Sequence, residues 1–164
     1  MSWNEWASAL ELSCMWEMAK VRETAVQEIL LLHEQAGIEC QKVLLKLSNK
    51  LGISEIRNAV VQALSGALGS VDRIELGTEF QVDRWLLEGY KQLVLAKEGI
   101  SAEDEERLGW KTTSKLFRLR DAYLLQTQYM RGYSTYFQAF DYIVTPLIME
   151  AFAKELESAA GWGG

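Results

Sequence analysis

Apolar residues recur every three or four positions along most of the chain, and this spacing predicts amphipathic α-helices. The clearest stripe follows Asp83, which is a common N-cap residue type, and it lies opposite a polar side that carries Arg84 and Glu88. The stripe comprises Leu86, Leu87, Tyr90, Leu93 and Val94. Helical spacing continues on both sides of this segment, so the sequence predicts an all-α fold.

Glycines, small polar residues and a single proline mark the predicted ends of the helices. Gly99 is expected to end the helix that starts with the main stripe, and Ser101 opens the next helix with a capping-box-like pattern. Gly109 is expected to end that short helix before a longer one begins. Further on, Gly132 is expected to break the longer helix, and Pro146 is expected to kink or divide the last one.

The N-terminal segment contains two copies of one pattern, separated by 35 residues. Leu10, Leu12, Ser13, Arg22, Val26 and Gln27 match Leu45, Leu47, Ser48, Arg57, Val61 and Gln62. This period is typical of a two-helix unit, and such units bury their apolar sides by stacking on their neighbours. The sequence therefore predicts stacked helical hairpins, as in a short solenoid.

The turn inside each copy differs in its chemistry. Gly52 suits a left-handed backbone conformation, and Ser54 can cap the helix after it. Glu17 and Ala19 occupy the equivalent positions and serve these roles poorly, while Gly37 is expected to stop the second helix of the first copy. We therefore expect the first hairpin to be the less stable of the two.

The absence of a linker rich in proline or serine favours a single packed body. We expect one helical domain over residues 1–157 and a flexible tail over residues 158–164. Within the domain, hairpin repeats span 4–36 and 39–66, central helices span 70–131, and a C-terminal helical pair spans 133–157.

The net charge and the length of the most apolar stretch argue against nucleic acid and membranes as partners. The 164 residues carry a formal net charge of -6, which argues against nucleic acid because nonspecific binding to phosphates needs clustered cations. The most apolar stretch, Tyr142 to Ala153, is interrupted and falls short of the roughly 20 residues that span a bilayer. We therefore expect no membrane partner.

Cys14 and Cys40 are expected to be reduced thiols of an intracellular protein, in the cytoplasm or the nucleus.

No residue pattern for catalysis, cofactor binding or metal binding is recognisable. His33 is the only histidine, which removes a His-pair metal site and disfavours a Ser-His-acid triad, so we expect it to be a partly exposed helix residue. The acidic run from Glu103 to Glu106 lacks the alternating ligands of a calcium loop, and it suits the first turn of a helix. We therefore predict no catalytic residues, no cofactor and no metal.

Five residues are candidates for contact with a protein partner: Trp3, Trp6, Lys111, Lys115 and Arg118. Tryptophan is frequent among interface anchors, although core filling is the commoner reason for such a residue. The three cations, with Arg120, form a local basic cluster that suits an acidic partner or an ordinary solvated helix face. The aromatic series from Tyr129 to Tyr142 offers a further partner groove or further core.

Several motifs resemble those of one protein family. They are Leu-x-Lys-Leu-Ser and Ile-Ser-Glu-Ile-Arg within Leu44 to Arg57, Val71-Asp72-Arg73-Ile74, Val82-Asp83-Arg84-Trp85-Leu86 with Tyr90, and Ile100-Ser101-Ala102-Glu103 through Leu108-Gly109. Together they resemble the helical region that follows the BTB/POZ domain in proteins of mushroom-forming fungi. The resemblance covers about residues 40–120, more weakly 5–30, and implies a BACK-like helical fold. This chain shows no BTB/POZ domain, so the dimerisation and cullin-adaptor roles of that domain are not carried over.

The resemblance and the lack of a catalytic pattern together favour a non-catalytic protein-interaction or scaffolding module. Two alternatives stay open at the level of the sequence. One is a helical bundle that binds a small hydrophobic ligand or a lipid, and the other is a truncated remnant without function.

Overall fold

The computed structural model describes residues 2–35, 37–129 and 136–161, and within these ranges every regular element is a helix. The helices are α1 (Trp3–Met15), α2 (Ala19–Leu32), α3 (Ile38–Leu51), α4 (Ser54–Ser65), α5 (Ser70–Phe80), α6 (Asp83–Leu95), α7 (Ala102–Tyr129), α8 (Tyr136–Ala151) and α9 (Ala153–Ala160). A short 3-10 turn, His33–Gln35, follows α2. The predicted all-α class is confirmed.

The chain forms two compact units, Met1–Leu68 and Gly69–Gly164. In unit 1, helices α1 and α2 form one hairpin and α3 and α4 form another, with α1 packed against α3 and α2 against α4. Their shared apolar core includes Leu10, Ala25, Ile29, Leu44, Leu45, Ile56, Val60 and Leu64. The predicted stacking of two hairpins is therefore present in unit 1, whereas a single domain over residues 1–157 stays a prediction.

The 35-residue repeat corresponds to equivalent positions in the two hairpins. Ser13 and Ser48 are both buried, and their hydroxyls donate to the carbonyl oxygens of Leu10 and Leu45 at 2.8 and 2.9 Å. A serine that satisfies its hydroxyl within its own helix can be buried without an unpaired polar group. Serine therefore acts here as a small core residue.

Three hairpins of the chain share one turn geometry. A residue after the first helix of each has a positive φ, which is 53° at Glu17, 65° at Gly52 and 52° at Gln81. The next N–H donates to the carbonyl five residues earlier at 2.9 Å, in the pairs Met18 to Ser13, Ile53 to Ser48 and Val82 to Gly77. These bonds satisfy carbonyls at the helix end in the manner of a Schellman motif.

Ser54 and Asp83 were expected to be the N-cap residues of their helices, but each lies one position further inside its helix. Ser54 and Asp83 are the first helical residues, and the N-cap positions before them belong to Ile53 and Val82. Both of these apolar residues have extended backbones and buried side chains. The turn therefore uses its single extended residue to fill the core, and no side-chain oxygen caps the helix there.

In unit 2, α5 and α6 approach so closely that only glycine fits at one contact. A Cβ at Gly89 would lie 2.7 Å from both the carbonyl oxygen of Ser70 and Cγ1 of Ile74. Helices α7, α8 and α9 pack around α6. Among the described residues, the buried cluster includes Val71, Ile74, Leu86, Tyr90, Leu93, Val94, Leu116, Leu119, Tyr123, Val144, Ile148, Phe152 and Ala159. The predicted stripe of α6 is therefore the centre of this core.

The boundaries of α7 follow the sequence pattern closely. The hydroxyl of Ser101 accepts the N–H of Asp104 at 3.1 Å, which caps the first turn. Gly109 interrupts the helix with φ 74° and ψ 154°, as predicted. Gly99 does not end α6, because α6 stops at Leu95 and Gly99 lies in the following turn with φ 83°.

At the C-terminal end, α8 continues through Pro146, and the division from α9 falls at Phe152. Helix α9 extends to Ala160 and buries Ala159 in the core of unit 2. The predicted flexible tail over residues 158–164 therefore begins too early, because residues 158–160 are helical. The predicted break at Gly132 and the side chains of Tyr133, Tyr136, Phe137 and Phe140 lie outside the described residues.

Candidate protein-binding surface

Helix α7 is attached to unit 2 along one side after the break at Gly109. Leu116, Leu119 and Tyr123 are buried against the other helices of the unit. Thr113 is also buried, and its hydroxyl donates to the carbonyl oxygen of Gly109 at 3.0 Å. This spacing of three and four residues directs the opposite side of α7 away from the core.

That opposite side carries large apolar residues. Trp110, Phe117, Leu124 and Leu125 are 75, 41, 47 and 58% exposed. The first three recur every seven residues, so they lie along one line that spans about 21 Å at the usual helical rise. We call Trp110, Phe117, Arg118, Asp121, Leu124 and Leu125 the α7 face. Exposed apolar residues in such a line are typical of surfaces that bind another protein.

Charged residues accompany the apolar line. Lys111 lies along one edge with its Nζ 6.0 Å from the centre of the Trp110 ring, and Arg118 follows it two turns later on the same edge. Asp121 is exposed between Phe117 and Leu124. The face therefore offers both a positive and a negative group beside its apolar residues, which favours a partner of mixed charge.

Lys115 has a different environment from the other two candidate cations. Its Nζ lies 2.6 Å from Oε1 of Glu155 and 4.7 Å from the centre of the Phe152 ring. Phe152 in turn stacks on Tyr90 with 3.8 Å between ring centres. Partial burial is the largest single influence and acts to raise the pKa of Glu155, but the hydrogen bonds from Lys115 and the backbone, with the positive charges of Lys115 and Lys154, together lower it. Lys115 therefore joins α7 to α9 within unit 2.

A second ion-pair cluster anchors the short first part of α7. The Arg107 guanidinium contacts Asp72 at 2.6 Å and Glu75 at 2.5 Å, both on α5. Hydrogen bonds to Glu75 and Asp72 raise the pKa of Arg107 above its ordinary value. The start of α7 is therefore attached to α5 by charge, while the part after Gly109 is attached by apolar packing.

The candidate tryptophans Trp3 and Trp6 are half-buried on α1. Instead, Leu12, Met15 and Trp16 are 56, 76 and 69% exposed. We call these three residues the α1 stripe. The buried residues of α1 are Leu10 and Ser13, so Leu12 and Trp16 lie outside its buried side although their spacing is helical.

Unit 1 also contains an open cleft of about 650 Å³. Its lining includes Ser13, Cys14, Arg22, Val26, Leu30 and Ile53. This volume lies within the range of about 300–1,000 Å³ that small-molecule sites occupy. The cleft brings the turn of the first hairpin and one side of α2 together.

The histidine and the two cysteines are the residues of the chain that most often take part in catalysis or metal binding. His33 is buried, not partly exposed as expected, and its Nδ1 lies 2.7 Å from the carbonyl oxygen of Leu30. Gln41 donates from Nε2 to the carbonyl oxygen of His33 at 3.0 Å. Cys14 and Cys40 are free thiols. Among the described residues, no group of three or more His, Cys, Asp or Glu could hold a metal ion.

Within the described ranges, no helix combines the length and apolar character that crossing a membrane requires. In comparisons with known proteins, the chain matches no family model, no curated protein and no solved structure at a significant level. The resemblance to the helical region after the BTB/POZ domain therefore stays a prediction.

The candidate residues named from the sequence include only part of the α7 face. Lys111 and Arg118 are both exposed; Arg118 belongs to the face and Lys111 borders it. The missed residues are Trp110, Phe117 and Leu124, whose seven-residue spacing places them on a different side of α7 from the buried Leu116, Leu119 and Tyr123. A helix that packs on a core along one side needs apolar residues on that side only. Apolar residues on a second side of α7 could therefore have indicated the face.

Proposed function

We propose that this chain is a protein-interaction or scaffolding module without catalytic activity, and that the α7 face is its binding surface. The observation that carries the proposal is the line of exposed Trp110, Phe117 and Leu124 on a helix whose other side is firmly packed. A helix held in this way presents its outer side chains from a backbone that is already ordered, which lowers the entropy cost of binding. The motif resemblance to the helices of BTB/POZ proteins supports the same role.

The face suits a partner helix that brings apolar residues at helical spacing. Such a helix can lie along α7, fill the spaces between Phe117 and Leu124, and place charged residues against Arg118 and Asp121. Free Cys14 and Cys40 are in keeping with action inside the cell, in the cytoplasm or the nucleus.

The test is quantitative affinity capture with the full chain as bait. We expect a protein retained in near-stoichiometric amount by the unmodified chain and lost when both Phe117 and Leu124 are replaced by serine. The control replaces Leu12 and Trp16 by serine, which removes two comparably exposed apolar residues from the α1 stripe. Equal capture by the unmodified chain and the Phe117/Leu124 variant would contradict the proposal, as would turnover of a small-molecule substrate.

A second candidate function is the binding of a small hydrophobic ligand, favoured by the 650 Å³ cleft of unit 1. Val26 and Leu30 give the cleft apolar walls, and Arg22 supplies a cation at its edge. Native mass spectrometry of gently purified protein tests this. A retained molecule that disappears in a Val26→Trp variant supports ligand binding, whereas an empty unmodified protein argues against it.

A further inference from the structure

The pattern of the α7 face is complementary to itself when one copy is reversed. Phe117 and Leu124 lie on either side of a midpoint near residue 120, and Arg118 and Asp121 lie on either side of nearly the same midpoint. All four side chains belong to exposed residues. A two-fold axis through this midpoint therefore exchanges an apolar residue with an apolar residue and a cation with an anion.

We infer that the partner of the α7 face is the α7 face of a second copy of this chain, in an antiparallel two-fold pair. This inference rests on the proposed function and names the partner of that surface. In the pair, Phe117 of each copy packs against Leu124 of the other, and Arg118 of each copy faces Asp121 of the other. Every contact occurs twice, as in isologous interfaces.

Charge selects the antiparallel orientation. In a parallel two-fold pair of α7 helices, Asp121 near the middle of the face meets Asp121 of the second copy, while Arg118 on one edge faces the opposite edge and gains no acidic partner. The antiparallel pair replaces this repulsion by two attractions. The same argument fixes the register, because a shift by one helical turn separates Arg118 from Asp121 of the second copy.

The expected affinity is modest. One helix against one helix buries less than the roughly 1,200–2,000 Å² of a standard stable interface, so we expect a weak and reversible dimer. Each copy carries a net charge of -6, which opposes association at low salt. The dimer is therefore a reversible one that forms as the local concentration rises.

Sedimentation equilibrium of the full chain over a wide concentration range tests the inference, with three samples of altered charge. We expect Arg118→Asp alone and Asp121→Arg alone each to weaken the dimer by about tenfold or more, since each creates two like-charge contacts. An equimolar mixture of the two variants should form a heterodimer, because both of its charge contacts then join an aspartate to an arginine. Lys20→Asp and Glu34→Arg make the same charge changes at exposed positions of α2 and the turn after it, and should leave the dimer unaffected.

The outcomes distinguish a failure of the self-association from a failure of the proposed function. A monomeric unmodified chain, single variants that behave like their controls, or a mixture that fails to pair would overturn the self-association. If self-association fails while the Phe117/Leu124 serine variant still loses a different captured protein, the proposed function stands with another occupant. If the variant changes neither, both fail. Circular dichroism of every variant confirms that the helices are intact.

Discussion

The α1/α2 hairpin and the α3/α4 hairpin make the same turn with different side chains. Glu17 adopts the left-handed conformation in the first hairpin, and Gly52 adopts it in the second. The next residue is Met18, 48% exposed, in the first and Ile53, 2% exposed, in the second. A residue other than glycine is disfavoured in this conformation, and an exposed methionine adds little burial. The comparison teaches that one turn geometry can form in two hairpins although only one of them has the residue types that stabilise it.

The largest expected effect concerns the apolar residue of the turn. Ile53→Ala should lower the free energy of unfolding of the second hairpin by about 2–4 kcal/mol, because it leaves a cavity in a buried site. Met18→Ala, at the equivalent exposed position, should change stability by less than about 0.5 kcal/mol. Native-state hydrogen exchange of the amides in each hairpin measures both values. Equal losses at the two positions would mean that the hairpins do not differ in the way the exposures indicate.

The second effect concerns the left-handed residue itself. Gly52→Ala should destabilise the second hairpin by about 1 kcal/mol, since a Cβ there meets no atom within 4 Å and only the positive φ opposes it. Gly66→Ala is the matched control because Gly66 has an ordinary helical φ of -81° and equally open surroundings. It should be neutral or stabilise by about 0.5 kcal/mol. Urea denaturation of both variants compares them, and a loss at Gly66 as large as that at Gly52 would contradict the explanation.

Much of the helical framework could be predicted from local pattern, because periodicity and helix ends depend on neighbouring residues. The buried stripe of α6 and the interruption at Gly109 are examples. Hydrophobicity alone did not identify the buried side of α1, which carries apolar residues on more than one side. Ser13 is buried there because it is small and bonds to its own helix, while the larger Leu12 and Trp16 stay exposed.

Contacts between distant residues could not be read from spacing. Lys115 shares a helical repeat with Lys111 and Arg118, but its position is decided by Glu155, which lies 40 residues further along the chain. Likewise, nothing local showed that His33 would be buried beside the side chain of Gln41. The basic residues of α7 were therefore predicted in part, and the ion pair of Lys115 only became clear from tertiary structure.

A smaller effect is expected when the first hairpin receives the glycine of the second. Glu17→Gly should stabilise the α1/α2 hairpin by about 0.5–1 kcal/mol, because glycine accepts a φ of 53° without steric strain. Glu23→Gly, at an exposed position of α2, removes the same side chain from a helix interior and should cost about 1 kcal/mol. Hydrogen exchange of the α1 and α2 amides distinguishes the two. Stabilisation absent at Glu17 would show that the turn carries no strain.

The smallest effect tests a hydrogen bond that only the second hairpin has. There, Nε of Arg57 donates to Oδ1 of Asn49 at 3.1 Å. The equivalent positions in the first hairpin are Arg22 and Cys14, so Cys14→Asn supplies the missing acceptor. Asparagine and cysteine have similar helix propensities, and a partly exposed hydrogen bond should add about 0.5 kcal/mol. A double-mutant cycle with Arg22→Ala isolates this energy, and a coupling of zero would show that the first hairpin holds Arg22 in a different position from Arg57.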